Sequence, residues 1–241
     1  MYELYSPEGL RSDGRRWNEL RFIDAKMNTQ PKSADGSSTV EMGATKVVCM
    51  VQGPMEPRSE SQNRMIISMS INFAPFSGQN REQRPHNDRR LEEMASRIEQ
   101  LLEQVILLEL CPNTEIQVTV TVLSQDGGVL PAIINAVSLA LIDAGVPMYE
   151  YLAACSVAIY DRSPLLDPGN LEETELPTVS ISSIGTDRKV AFCVMDRKVG
   201  LDRIAPAMEL AVEGCISVRA AIDAEVQRHG NKRVKLAAPS S

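Results

Sequence analysis

One stretch, Leu123 to Met148 (LSQDGGVLPAIINAVSLALIDAGVPM), constrains the remainder of this chain. It reads as the end of a strand, a Gly127-Gly128 turn, a helix-starting Pro131, an apolar helix, and Gly145 with Pro147 as stop signals. A glycine turn feeding a helix N-terminus normally lets backbone N–H groups close on an anion. The side chains that would complete such a site are missing here, because Val129, Leu130 and Pro131 follow the glycines directly.

The chain has 241 residues, 43% of them hydrophobic, enough to bury a sizeable core. A net charge of -7 argues against coating nucleic acid with the whole surface, but it permits a local basic stripe. Cys49, Cys111, Cys155, Cys193 and Cys215 are widely spread in apolar settings, as expected of buried, reduced thiols in an intracellular protein. No apolar run approaches membrane-spanning length and no leader pattern is visible, so a soluble, unsecreted protein with no membrane partner is expected.

In chain order, Pro7 to Arg21 packs arginines around Trp17 and reads as a surface arm. Thr39 to Gly53 reads as a hairpin turning near Gly43, and the run KVVCMVQG suits a strand covered on both faces. Met65 to Phe73 alternates as a third strand. Phe76 to Arg90 is a basic loop carrying Arg81, Arg84, Arg89 and Arg90. From the N-cap Asp88 a helix is expected to Leu110, then a strand over Ile116 to Val122. After the apolar helix come a strand over Leu152 to Asp161, a hairpin over Thr178 to Gly185 and Lys189 to Asp196, and a long helix through Ile204 to Val226. The fold class is α+β, with sheets covered by helices and a loose duplication of strands followed by helix in each half. His86 and His229 lack metal-ligand spacing. The end of the chain, NKRVKLAAPSS, reads as a frayed tail or a short basic import signal.

Several stretches together, SPEGLRSDGRRWNELR, ADGSSTVEMGATKVVCMVQGP, DRRLEEMASRI, LSQDGG, LALIDAGVPM and LLDPGNLEE, resemble the phosphorolytic ribonuclease PH family. The likeness runs from Tyr5 to about Gly230. It implies a fold like the second domain of ribosomal protein S5, with βαβα halves, as one RNase PH-like domain over 1–230 and a flexible basic tail over 231–241. It also implies a six-membered ring of paired subunits around an RNA channel.

Active members hold phosphate with a Ser or Thr followed by Arg directly after the glycine pair. Here Gly127 and Gly128 are followed by Val129 and Leu130, whose side chains donate nothing, and Pro131 also removes a backbone donor, so the phosphate site is degenerate. Active members also carry two carboxylates for a metal or for proton transfer. The pattern puts Glu173 at the first position and Thr178 at the second, a degenerate carboxylate site, and Asp167, Glu172, Glu173 and Glu175 are expected on a solvated acidic loop. Arg90, with Arg89 beside it, matches an arginine that touches phosphate or RNA backbone in the family. Like charges at a positive helix start cost some ~0.3–1 kcal/mol each, which an anionic partner would offset.

The expectation is therefore a catalytically inert core subunit of an RNA exosome ring that threads single-stranded RNA, with no cofactor and no metal. Its partners would be other RNase PH-like subunits, RNA-binding cap subunits and hydrolytic exoribonucleases, in nucleus, nucleolus and cytoplasm. A working phosphate-dependent 3′-5′ exoribonuclease is the alternative. Apolar strands such as Lys46 to Val51 would need an assembly partner if they lie at a sheet border.

Overall fold

A computed structural model describes residues 10–57, 64–78, 81, 88–161, 163–185 and 188–237. Two sheets stack around one apolar helix. The first sheet is built from β1 (Ile23–Met27), β2 (Gly36–Met42), β3 (Thr45–Met55), β4 (Ile66–Phe73) and, after helix α1 (Arg89–Val105), β5 (Glu115–Ser124). Its order is β1-β2-β3-β5-β4, antiparallel except where β4 runs parallel to β5. Such a parallel neighbour needs a crossover, and α1 supplies it. Helix α2 (Val129–Ala144) then leads to the second sheet, made of β6 (Leu152–Tyr160), β7 (Ser163–Leu166), β8 (Thr178–Ile184) and β9 (Lys189–Met195) in the order β7-β6-β8-β9. A short helix α3 (Asn170–Glu175) joins β7 to β8, and α4 (Leu201–Ala237) closes the chain.

β7 and β8 are both antiparallel to β6 and so parallel to each other, with α3 between them in sequence. The run β4-α1-β5-α2 is thus echoed by β7-α3-β8-β9-α4, which is the duplicated pattern expected from the order of elements.

Apolar residues surround α2 on every side, and Ile133, Ile134, Val137, Leu139 and Leu141 are all buried. A helix of that kind has to lie inside. It packs on β2 and β3 of one sheet and on β6 of the other. Its polar residues are answered in place: Asn135 Nδ2 donates to the Ala154 carbonyl at 3.0 Å and its Oδ1 accepts the Ala154 N–H at 2.8 Å. Ser138 Oγ accepts the Leu152 N–H at 2.9 Å. These bonds fasten α2 to β6.

The structure corrects the reading of β3. Val47, Cys49 and Val51 are fully buried, but Lys46, Val48 and Met50 on the other face are only half-buried. The strand covered on both faces is β6, between α2 and α4, whose residues Leu152 to Ile159 are all buried. β3 also lies inside its sheet, between β2 and β5, so Lys46 to Val51 is no border strand.

Helix α1 starts on Asp88 as expected, with the Asp88 carboxylate accepting the Arg90 N–H at 3.1 Å, but it stops at Val105 rather than Leu110. Ile106 turns extended to bridge Met148, and Leu107 N–H donates to the Pro147 carbonyl at 3.0 Å. A tertiary pairing thus ends the helix before Pro112. At the other end of the chain, α4 carries Lys232, Arg233 and Lys235 on its last turns, past position 230 where a tail was expected to begin. Lys, Arg and Leu are good helix formers, and after Pro206 in its second turn no proline interrupts α4 before Pro239. Of the cysteines, Cys49, Cys155 and Cys215 are buried, Cys111 is half-buried and Cys193 is exposed.

Candidate functional site

The glycine turn is held from beneath. Gly127 and Gly128 both take the left-handed conformation, at φ 79 and 62, and α2 begins on Gly128 without a side-chain cap. Arg21 reaches under the turn and donates to the carbonyls of Asp126 and Gly127. Thr45 Oγ1 donates to the Gly127 carbonyl at 2.7 Å and accepts the Asp126 N–H at 2.9 Å.

Arg21 also makes a two-pronged pair with Asp167, Nε to Oδ2 at 3.0 Å and Nη2 to Oδ1 at 2.7 Å. Burial pulls the Arg21 pKa down, and the bonds and charge of Asp167 outweigh it, leaving a net rise. Arg11 grips Glu172 in the same fashion and donates to the Leu166 and Asp167 carbonyls at 2.6 and 3.0 Å. Asp167 is 0% exposed and Glu172 2%. This overturns the reading of these two residues as a solvated acidic loop; the arm before β1 is at the surface over Ser12 to Glu19 as expected, but its Arg11 and Arg21 are buried counter-ions. Buried carboxylates need such partners, and the arginines sit some 150 residues earlier in the chain, at |i−j| of 161 and 146, which no local pattern reveals.

Above the turn lies a pocket of about 310 Å³ between α1, the start of α2 and the β8-β9 pair, lined among others by Arg90, Arg97, Val129, Leu130, Glu173 and Asp196. The structure therefore brings Arg90 together with Val129, Leu130 and Glu173, as the residue pattern anticipated. Glu173 Oε2 accepts the Gly128 N–H at 2.9 Å. Burial pushes the Glu173 carboxyl up, the Gly128 N–H draws it back in part, and the charge of Asp196 raises it further.

Thr178 is buried and absent from the pocket wall; its Oγ1 donates to Asp196 Oδ2 at 2.6 Å. Ser180, two residues on along the same strand face, lines the pocket in its place. Arg89 is exposed and outside the lining, as is Arg81, whose N–H donates to the Gly78 carbonyl at 3.3 Å. Arg84 and His86 lie outside the described residues.

Sequence reasoning missed Arg97 and Asp196. Arg97 stands two helical turns after Arg90, so heptad spacing would have found it; it pairs with Glu93 at 2.5 Å. Asp196 follows from the hairpin register, since Val179 opposite Met195 sets Thr178 opposite Asp196. Chemically, the pocket offers guanidinium groups on one wall, two carboxylates on another and an apolar floor at the helix start. Among the described residues no group of three or more metal-ligating side chains is assembled.

Two adjoining family descriptions match this architecture. The 3′ exoribonuclease family, domain 1, covers residues 19–147, and domain 2 of the same family covers 150–214. The chain belongs to this RNase PH family. It is similar over nearly its whole length to exosome components: 41% identical to "Exosome complex component SKI6" of Saccharomyces cerevisiae, covering 96% of each chain. To "Exosome complex component RRP41" of Homo sapiens it is 35% identical, covering 94% of each. Among solved structures, rice (Oryza sativa) Rrp46 superposes with a TM-score of 0.80 at 22% identity, over 90% of this chain and all of that one. The Archaeoglobus fulgidus exosome with RNA bound to the active site gives a TM-score of 0.74 at 20% identity, over 88% and 92%. At those identities the likeness shows the fold.

Proposed function

We propose that this chain is a non-catalytic core subunit of an RNA exosome ring, lining part of a channel that threads single-stranded RNA and holding the ring together. The observation that carries the reading is the start of α2. Phosphorolysis brings a phosphate nucleophile up to an anionic phosphodiester, so the site has to supply donors to both. Val129 and Leu130 supply none from their side chains, Pro131 lacks an N–H, and the Gly128 N–H is already given to Glu173. The near-complete likeness to exosome components supports membership of the ring, with homologous, non-identical subunits as neighbours.

In this reading Arg90, with Arg89 and the loop arginines Arg81 and Arg84, meets the RNA backbone by charge. RNA-binding cap subunits and hydrolytic exoribonucleases complete the assembly, which serves ribosomal RNA maturation and the decay of messenger and non-coding RNA in nucleus, nucleolus and cytoplasm. No metal or cofactor has a part in it. One observation favours the active alternative: besides Glu93, which pairs with Arg97, Glu173 and Asp196 both line the pocket with Arg90. The deciding experiment assembles the chain with its ring partners and measures nucleoside diphosphates released from RNA in the presence of phosphate. None is expected; release that disappears in Glu173→Ala would overturn the proposal.

A further inference from the structure

Helix α4 runs on past the body it packs against. Among the described residues Glu225 is its last buried one, and Oε1 of that side chain accepts the N–H of Met27, the last residue of β1, at 3.2 Å. From Gln227 to Lys235 every residue is exposed except the half-buried His229, and a Cβ on Gly230 would meet nothing within 4 Å. The segment from Val226 to Ala237 amounts to about 18 Å of helix standing clear. It leaves at the end of β1 away from Arg21 and the glycine turn.

The charge of this segment has one sign. Glu225 is the last acidic residue of the sequence, and Arg228, Lys232, Arg233 and Lys235 come after it. Arg228 is answered by Glu225, Nε to Oε2 at 2.6 Å, whereas among the described residues nothing pairs with Lys232, Arg233 or Lys235. Arg228, Lys232 and Lys235 follow one another at four and three residues, so the helix sets them on one face, where like charges disfavour it. The helix dipole rewards cations in the last turn, which covers Lys235 but neither Lys232 nor Arg233.

The other side chains select the partner. A protein groove takes a helix by apolar anchors one and two turns apart, and a membrane surface takes it by a whole apolar face. Between Gln227 and Lys235 the one apolar side chain is Val234, 70% exposed. No Phe, Tyr or Trp stands there to stack on a base. A polyanion needs only the charges. We infer that the end of α4 binds the phosphodiester backbone of RNA by charge, without base selection, at a site separate from the pocket. This adds a second contact to the RNA reading above, which concerns Arg90 and its neighbours.

The test uses the full chain and the ring assembled from it, each with an unstructured RNA of mixed sequence. Lys232→Gln with Arg233→Gln and Lys235→Gln alters exposed side chains only, so folding and entry into the ring should match the wild type. RNA binding should weaken at low salt, and the log–log salt slope should fall in magnitude by roughly 0.7 per lost contact, about 2 for all three. The loss should add to that of Arg89→Glu with Arg90→Glu, as expected of independent sites. RNA should also slow amide exchange from Asn231 to Ala237, since a free helix end that contains Gly230 frays readily. An unchanged slope, unchanged exchange, or a variant that keeps its RNA affinity but no longer accumulates in the nucleus would overturn the inference, the last in favour of an import signal. If neither chain nor ring binds RNA, the RNA reading of the ring falls as well; if the change at Arg89 and Arg90 removes the whole slope, this inference alone falls.

Discussion

The Glu173 carboxyl group accepts the N–H of Gly128 at 2.9 Å, so an acceptor supplied by the chain itself stands at the start of α2. Its pKa lies above the ordinary carboxylate value, because burial first and the neighbouring Asp196 outweigh the Gly128 N–H and Arg21.

A pH dependence follows. With its folded pKa above the ordinary carboxylate value, Glu173 binds its proton more tightly in the folded chain than in the unfolded one. Stability therefore falls as pH rises from the ordinary value through the raised one. Glu173→Gln keeps an acceptor oxygen for Gly128 and removes the charge. Its thermal midpoint should lie above that of the wild type at pH 7 and converge with it as the pH drops below the ordinary carboxylate range. A wild type that is the more stable of the two at pH 7 would show that the ionised form is the favoured one.

The Arg21–Asp167 pair sets the largest expected mutational cost. Asp167→Ala leaves a buried guanidinium with no carboxylate bonded to it and only the half-exposed Asp126 at 3.9 Å. Breaking a buried pair from one side costs about 3–5 kcal/mol. Asp13→Ala, at the half-exposed end of its pair with Arg15, should cost under ~1 kcal/mol. Urea unfolding of the two variants measures the difference, and similar midpoints would count against a structural role for Asp167.

Much of this architecture was legible in the residues. The alternation of β4 and β5, the all-apolar α2 and the Asp88 cap are local signals, and each appears where its pattern put it. What escaped was long-range. The end of α1 is decided by Met148 and Pro147, and the fate of Asp167 and Glu172 by two arginines of an arm that looks solvated when read alone. At the pocket, Arg90, Val129, Leu130 and Glu173 were legible through family likeness, whereas Asp196 required the β8-β9 register and Arg97 the helical face of α1.

The glycines at the two ends of α2 should differ in what they tolerate. Gly145 is left-handed at φ 73 with open space around a Cβ, so Gly145→Ala should cost only the conformational term, about 1–2 kcal/mol. At Gly127 a Cβ would stand 2.7 Å from the Pro168 carbonyl oxygen and from the Gly169 backbone carbon, neither of which can swing aside. Gly127→Ala should therefore cost more than Gly145→Ala in thermal or urea unfolding, and equal costs would show that the turn can shift as a unit.

RNA binding is tested through salt. Arg89→Glu with Arg90→Glu, in assembled rings, should weaken RNA binding and reduce the log–log salt slope by roughly 0.7 for each phosphate that is no longer neutralised. Both residues lie in the first turn of α1 and outside its buried set, so ring assembly should be unaffected. An unchanged slope and an unchanged length of protected RNA would identify the two arginines as an ordinary solvated helix start.

Arg21 and Thr45 hold the carbonyl of Gly127 from below, and Asp167 holds Arg21 in turn. The glycine pair is thus a joint between three distant parts of the chain, with a structural role whether or not anything is ever bound above it. A chain of this architecture can discard phosphate chemistry by changing the two residues after the joint, at no cost to the joint itself. Under the proposed function, inactivity would be read from those two side chains, and the double glycine, the most visible mark in the sequence, is silent on the matter.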